Sequence, residues 1–190
     1  MKTCSFYFII CMKTSYFFIL LLCVNLFCLA QSYIPNDAKS KTHFTIKNFG
    51  IKTGGIFSGI KGSIDFNPKD LSNSQMNVSV NASSIYTDNN ARDKHLRKSE
   101  YFNVEKYPLI TFKSSKITES SIAGFFFVVG TITIKGITKI LQFGFTAVPF
   151  RDGYTFNGEF DINRLDFGVG SSSISLSDNL KVTLNIVANK

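Results

Sequence analysis

The chain has 190 residues, 44% of them hydrophobic and 14% aromatic, with 20 phenylalanines, no tryptophan and a formal net charge of +8. The basic residues are spread thinly, with Arg97-Lys98 as the one adjacent pair, which excludes the dense cationic footprint of a nucleic-acid-binding domain. All four cysteines (Cys4, Cys11, Cys23, Cys28) fall within residues 1–30, so whatever folds downstream is expected to be held by its core and not by disulfides.

Residues 1–30 carry only Lys2 and Lys13 as charges, and Tyr16 to Val24 is an unbroken apolar run. That is the pattern of a secretory signal peptide. Small residues at Cys28 and Ala30 predict cleavage before Gln31, with a single membrane anchor as the competing expectation. Leu22 before Cys23 and Phe27 before Cys28 are too large for a lipidated-cysteine site. Met12-Lys13-Thr14 repeats Met1-Lys2-Thr3, and a start at either methionine gives the same mature chain. Removing 30 of 190 residues leaves a single domain of 160, and losing Lys2 and Lys13 takes the basic count from 21 to 19 against 13 acids, a net charge of +6. A chain of that length can bury a sizeable core. Its mild basicity leaves room for transient contact with an anionic membrane surface.

From residue 42 onward apolar and polar residues alternate, the signature of strands with one buried face. Phe44 and Ile46 begin the pattern. In "GIFSGIKGSIDF" the residues Ile56, Ile60, Ile64 and Phe66 are apolar while Lys61, Ser63 and Asp65 take the other face, and Met76, Val78, Val80 and Ala82 continue the alternation. Further runs follow at Ile110 and Phe112, at Leu141, Phe143, Phe145 and Ala147, at Phe156, Phe160 and Ile162, and from Leu180 to Ala188. Asn67-Pro68, Arg151-Asp152-Gly153 and Ser177-Asp178-Asn179 read as turns. About eight antiparallel strands of this kind must close on themselves or pack as two sheets. Closure removes both exposed edges, and Gly59, Gly62, Gly124, Gly130, Gly144 and Gly158 suit the bends of a barrel. A barrel is therefore expected, with a sandwich as the alternative.

One segment breaks the strand rhythm. In "NNARDKHLRKSEYFNVEKYPLITF", Asp88 or Asn89 can cap a helix running to about Lys98, and Tyr107-Pro108 restarts the sheet at Leu109. This short helix lies in a crossover that can cover one end of the barrel.

The same segment carries a resemblance. Asn90, Arg92, Asp93, His95, Leu96, Phe102, Tyr107, Pro108 and Phe112 fall in the order "N-x-R-D-x-H-L … F … Y-P-x-x-x-F", and Gly130, Thr133, Ile134, Gly136, Thr138 and Lys139 match a later "G-x-L-T-I-x-G-x-T-K" hairpin. With "HFTIKNFG", "GGIFSGIKGSIDFNPKDL" and "FDINRLDFGV", the chain from residue 43 to the last strand resembles the YceI-like family of exported lipid- or polyisoprenoid-binding proteins. The resemblance implies an all-β fold, a lipocalin-like extended antiparallel barrel with a long apolar interior, and an isoprenoid cargo. It also implies the periplasm of a Gram-negative cell, or secretion, as the destination. Tyr101 stands where the family commonly has phenylalanine, and Ile132 where it has leucine.

Arg92, Asp93 and His95 are the residues whose types invite catalytic chemistry. On a helix about 100° separates successive residues, so these three side chains diverge and do not meet at one reacting atom. Holding the helix against the barrel is the expected role, with recognition of a polar head group by Arg92 and His95 as the sharper alternative. His43 and His95 are the only histidines, Glu159 and Asp161 read as solvated, and no metal, phosphate-loop or nucleophile motif is present. No cofactor is expected.

Strand parity places Phe44, Ile46, Ile60, Ile64, Phe66, Val78, Val80, Ile110, Phe112, Phe143, Phe145, Phe156 and Phe160 toward the interior, subject to any bulge that switches faces. These are the expected lining of a lipid site, while Asn77, Ser79 and Asn81 face outward and should tolerate substitution. "FFFVV" (125–129) is apolar on both faces, and its outer face is expected to meet the crossover helix or a second copy in a homodimer. The expected function is a non-enzymatic carrier or store for a long apolar lipid. On the resemblance this is a polyisoprenoid or isoprenoid quinone, with fatty acids or their amides second. A ligand-free interaction module and a lipid-processing enzyme are the rivals.

Overall fold

The structure is a computed structural model and describes residues 31–190. The apolar segment before them, with its cysteines and the expected cleavage site, lies outside the described residues. Ten strands form one sheet: β1 (Ser32–Pro35), β2 (Lys41–Asn48), β3 (Ile51–Phe57), β4 (Lys61–Asp65), β5 (Gln75–Asn81), β6 (Leu109–Glu119), β7 (Phe125–Ile134), β8 (Ile137–Phe150), β9 (Gly153–Asn163) and β10 (Leu176–Asn189). A seven-residue helix, α1 (Asn90–Leu96), sits in the crossover between β5 and β6.

Neighbours run β1-β4-β5-β6-β7-β8-β9-β10, and β10 returns to β1 through Ile34–Asn189 and Pro35–Ala188. Eight strands therefore close into an antiparallel barrel, and the sandwich alternative falls away. The physical reason is the length of β10. Its 14 residues span about 46 Å, enough to pair β1 at one end and β2 along the rest. The β2–β3 hairpin thus extends the wall beside β10, and its free edge meets the crossover through reciprocal bonds between Ile56 and Tyr86. The first strand thus pairs with the last, and both core clusters are built from residues of the ring and its connections.

Several expectations need correction. Ser177-Asp178-Asn179 is not a turn but a bulge inside β10, where the register with β2 slips between Leu176 and Leu180. The run "GIFSGIKGSIDF" is two strands, broken where Asp37 accepts hydrogen bonds from the Gly59 and Ile60 amides at 2.7 and 2.8 Å. Gly59 and Gly124 accordingly lie outside the strands, both at positive φ. The helix begins where expected, with the Asn89 side chain accepting from the Arg92 amide at 2.9 Å, but ends at Leu96 because the chain then curls into turns. A second bulge, between Ser114 and Lys116, flips parity along β6. Ile110 and Phe112 point inward above it and Ile117, an odd-numbered residue, points inward below.

Candidate functional site

The barrel has two ends of different character. At the lower end, where β1 closes the ring, Phe66 enters from the β4–β5 connection and is 1% exposed. Its ring meets those of Phe126, Tyr154, Phe156 and Phe145 at centroid distances of 5.2, 5.3, 5.4 and 6.1 Å, mostly edge to face. These are favourable aromatic geometries, and they make a solid floor. Tyr33 joins it edge-on to Tyr154, and burial, with Tyr154 adding to it, pushes the Tyr33 hydroxyl above its usual pKa.

Above this floor the barrel is hollow. A cavity of about 190 Å³ runs upward, larger than the roughly 150 Å³ apolar cavity that stays dry and admits benzene. Ile64, Met76, Val78, Val80, Ile110 and Phe112 form the wall on β4 to β6, and Ile132, Leu141, Phe143 and Phe145 that on β7 and β8. Phe156, Phe160, Ile162 and the even-numbered residues Leu180 to Ile186 complete it on β9 and β10, with Phe44 and Phe57 on the hairpin side. Two glycines make room for rings in this wall. A methyl on Gly130 would lie 2.8 Å from the Phe112 ring and one on Gly158 3.0 Å from the Phe143 ring.

The ladder between β8 and β9 stops short of the upper end. Their pairing runs only from Phe150–Gly153 to Phe145–Gly158, although both strands continue upward. There the rings of Phe143 and Phe160 bridge the seam at 4.9 Å. The upper end is covered by side chains from loops, namely Phe102 of the crossover and Phe167 and Val169 of residues 164–170.

The sequence-derived lining largely surrounds this space. Ile46 and Phe66 do not. Phe66 lies past the end of β4 and fills the floor, and Ile46 is half-buried outside the wall although its β10 partner Leu180 lies in it. The reading missed Phe57 and Phe102, whose rings meet edge-on at 5.4 Å, and Phe167 and Val169. Phe102, Phe167 and Val169 are loop residues, which carry no parity signal, whereas Phe57 ends β3, and Met76, Ile132, Ile134, Leu141, Ile162 and the even-numbered residues Leu180 to Ile186 of β10 line the space from strands although outside the expected set.

Arg92 and His95 are not in the cavity wall. The Arg92 Nε donates to the Thr87 hydroxyl at 2.7 Å and its Nη2 to the Thr87 carbonyl at 2.5 Å. Asp93 is buried and accepts from the Thr87 amide at 2.9 Å and the Thr87 hydroxyl at 2.5 Å. Arg97 donates to the Ser83 and Ile85 carbonyls. Together these bonds clip α1 to residues 83–87, while His95 is exposed with its ring edge-on to Tyr101 at 4.9 Å. Asn81, expected to be neutral, accepts from the Ser83 amide and hydroxyl and starts that segment.

The charged side chain that does reach the wall is Arg164, 3% exposed. Its guanidinium donates to the carbonyls of Val169 and Ser177 at 3.0 Å and pairs with Asp178 at 2.8 Å. It ties the upper loop to the start of β10, with its charge compensated. An arginine inside the alternating run "FDINRLDFGV" was the available signal. The pair Glu159–Lys181, on the outer face, raises the lysine pKa through its hydrogen bond. Among the described residues no group of histidine, cysteine and carboxylate side chains could hold a metal ion.

A family model described as YceI-like domain matches residues 33–188. The chain belongs to the YceI-like family. Among its relatives are the UPF0312 proteins of Yersinia enterocolitica, 31% identical over 152 residues (75% of this chain, 77% of the relative), and Serratia proteamaculans, 29% over 140 residues (70% and 71%). Of solved structures, the Campylobacter jejuni YceI protein superposes with a TM-score of 0.64 at 27% identity, covering 72% of this chain and 84% of that one. Burkholderia cenocepacia BcnA reaches 0.77 at 22% identity (82% and 99%). A Saccharophagus degradans domain described as polyisoprenoid-binding reaches 0.68 at 12% (83% and 97%). The latter two likenesses establish the shared barrel and nothing finer.

Proposed function

We propose that this YceI-like protein is an exported carrier or store that holds a long apolar lipid, a polyisoprenoid or the tail of an isoprenoid quinone, in the hollow upper barrel. The observation that carries the reading is the apolar cavity itself. An empty space of that size costs about 4 to 5 kcal/mol at roughly 24 cal/mol per Å³, a large share of the ~5–15 kcal/mol by which domains are stable. Nor does an apolar lining offer water the two to four polar partners it needs. A hydrocarbon chain fills the space instead, each buried CH₂ contributing about 0.8 kcal/mol.

The choice of isoprenoid is supported by the polyisoprenoid-binding description of the Saccharophagus degradans neighbour. A carrier role is favoured over catalysis because Arg92 and Asp93 are engaged with Thr87 outside the wall. Export is supported by the apolar run Tyr16 to Val24 and the small residues before Gln31.

Native mass spectrometry of the full chain exported from a host with its own lipids, followed by organic extraction, tests this reading. A stoichiometric isoprenoid in protein beginning at Gln31 is the expected result. A bare mass that persists after incubation with isoprenoids and fatty acids would sink it and favour a ligand-free interaction module.

A further inference from the structure

The hairpin that extends the wall ends in a feature that folding alone does not favour. The β2–β3 turn, Phe49-Gly50, has both residues at positive φ, 50° and 78°. Such two-residue turns strongly prefer Asn or Asp before Gly, because a bulky side chain is strained in the left-handed region. Yet the position holds phenylalanine, and it is 79% exposed. Two more exposed apolar residues adjoin it. Ile51, 72% exposed, pairs with Asn48 across the hairpin. Ile174 is fully exposed on the loop before β10, where the Ser175 carbonyl accepts from the Phe49 amide at 2.7 Å. Single exposed apolar residues are ordinary, but three brought together on turns, one of them strained, mark an interaction surface.

The charges around this tip identify its partner. Lys47 and Lys52 face each other across the hairpin, in the register pair next to Asn48–Ile51. Neither forms an ion pair among the described residues. Residues 38–64 contain no aspartate or glutamate, and Asp178 nearby is already paired with Arg164. An aromatic and aliphatic tip ringed by unpaired lysines suits the boundary of an anionic bilayer, where rings and alkyl groups enter the headgroup layer and ammonium groups meet phosphates.

We infer that Phe49, Ile51 and Ile174, flanked by Lys47 and Lys52, form a docking tip for an anionic lipid surface. The tip lies at the upper end of the barrel, opposite the Phe66 floor. The loop bearing Ile174 runs from Val169 in the cavity wall to Leu176 at the start of β10. Docking would therefore lay the hollow end of the barrel against the membrane. The inference goes beyond the proposed cargo, since the tip would dock whatever the cavity holds.

Flotation of the protein expressed as its full chain with vesicles of phosphatidylethanolamine and phosphatidylglycerol, compared with phosphatidylcholine alone, tests it. Selective, salt-sensitive binding to the anionic vesicles is expected. Phe49→Asn should weaken that binding about tenfold by removing one buried side chain, with an unchanged or higher thermal midpoint because asparagine accepts the turn geometry. Lys47→Gln and Lys52→Gln should each cost about fivefold on anionic vesicles. Absence of vesicle binding by the wild type, or equal binding by Phe49→Asn, would overturn the inference. So would a dimer in sedimentation analysis that Phe49→Asn dissolves, because the tip would then be covered by a second copy. Cargo extracted from the same samples keeps this result separate from the lipid-carrier reading.

Discussion

The two halves of this barrel are built from the same alternation of apolar and polar residues, yet one is solid and the other hollow. In the lower half Phe66 comes in from outside the strand ladder and meets four aromatic rings, while Ala147 and Ala188 keep the walls close. In the upper half Phe102, Phe167 and Val169 come in from loops and pack against Ile132, Ile134 and Leu141, and a cavity remains between this cap and the floor. Phenylalanine is plentiful in both. What separates the packed floor from the cavity above it is how closely the inserted side chains meet, four aromatic rings around Phe66 against a loop-borne cap that leaves space beneath it, and not the hydrophobicity of the wall.

The sharpest way to break this contrast is to remove the inserted ring. Phe66→Ala should cost about 3–5 kcal/mol in denaturant unfolding, the usual loss for a buried aromatic, and should lengthen the cavity downward. A loss below about 1 kcal/mol would show that the floor is not tightly packed. Asp93→Ala strikes the other end. With the Thr87 amide left buried without its acceptor, stability should fall by about 2–3 kcal/mol, and amide exchange should quicken across residues 83–97 but not around Phe66. Uniform loss of protection would mean that the crossover is not a separate clip. The smallest effect is the most discriminating. Val182→Phe, pointing into the hollow half, should change stability by less than about 1 kcal/mol while lowering lipid uptake, whereas Ala188→Val in the solid half should cost about 1–3 kcal/mol by overpacking. Equal penalties at the two positions would erase the distinction.

Much of this was legible in the residues. Alternation at Met76, Val78 and Val80 and at Leu180 to Ala188 gave the strands and their inward faces, because a pleated strand with one wet face has no other stable pattern. Asn89 marked the helix start. The sequence was misleading where local chemistry has two solutions. Ser177-Asp178-Asn179 has turn composition, but Arg164 engages the Ser177 carbonyl and the Asp178 carboxylate, and the segment becomes a bulge in a continuing strand. Arg92 was expected to hold the helix in place, with head-group recognition by Arg92 and His95 as the alternative, and its bonds to the carbonyl and hydroxyl of Thr87 fit the first role.

By itself the sequence determined an all-β chain of short amphipathic strands, the family signature in residues 90–112, and which side chains are apolar enough to line an interior. Those are properties of neighbours along the chain, set by a period of two and by local capping. Only the tertiary structure decided that β10 is long enough to close the ring and carry the hairpin, that Phe66 fills the floor while the loop-borne cap leaves a cavity above it, and that Phe49 and Ile174 adjoin at one tip. Each of these depends on residues far apart in sequence, and alternation, which repeats identically in every strand, cannot say which strand lies beside which.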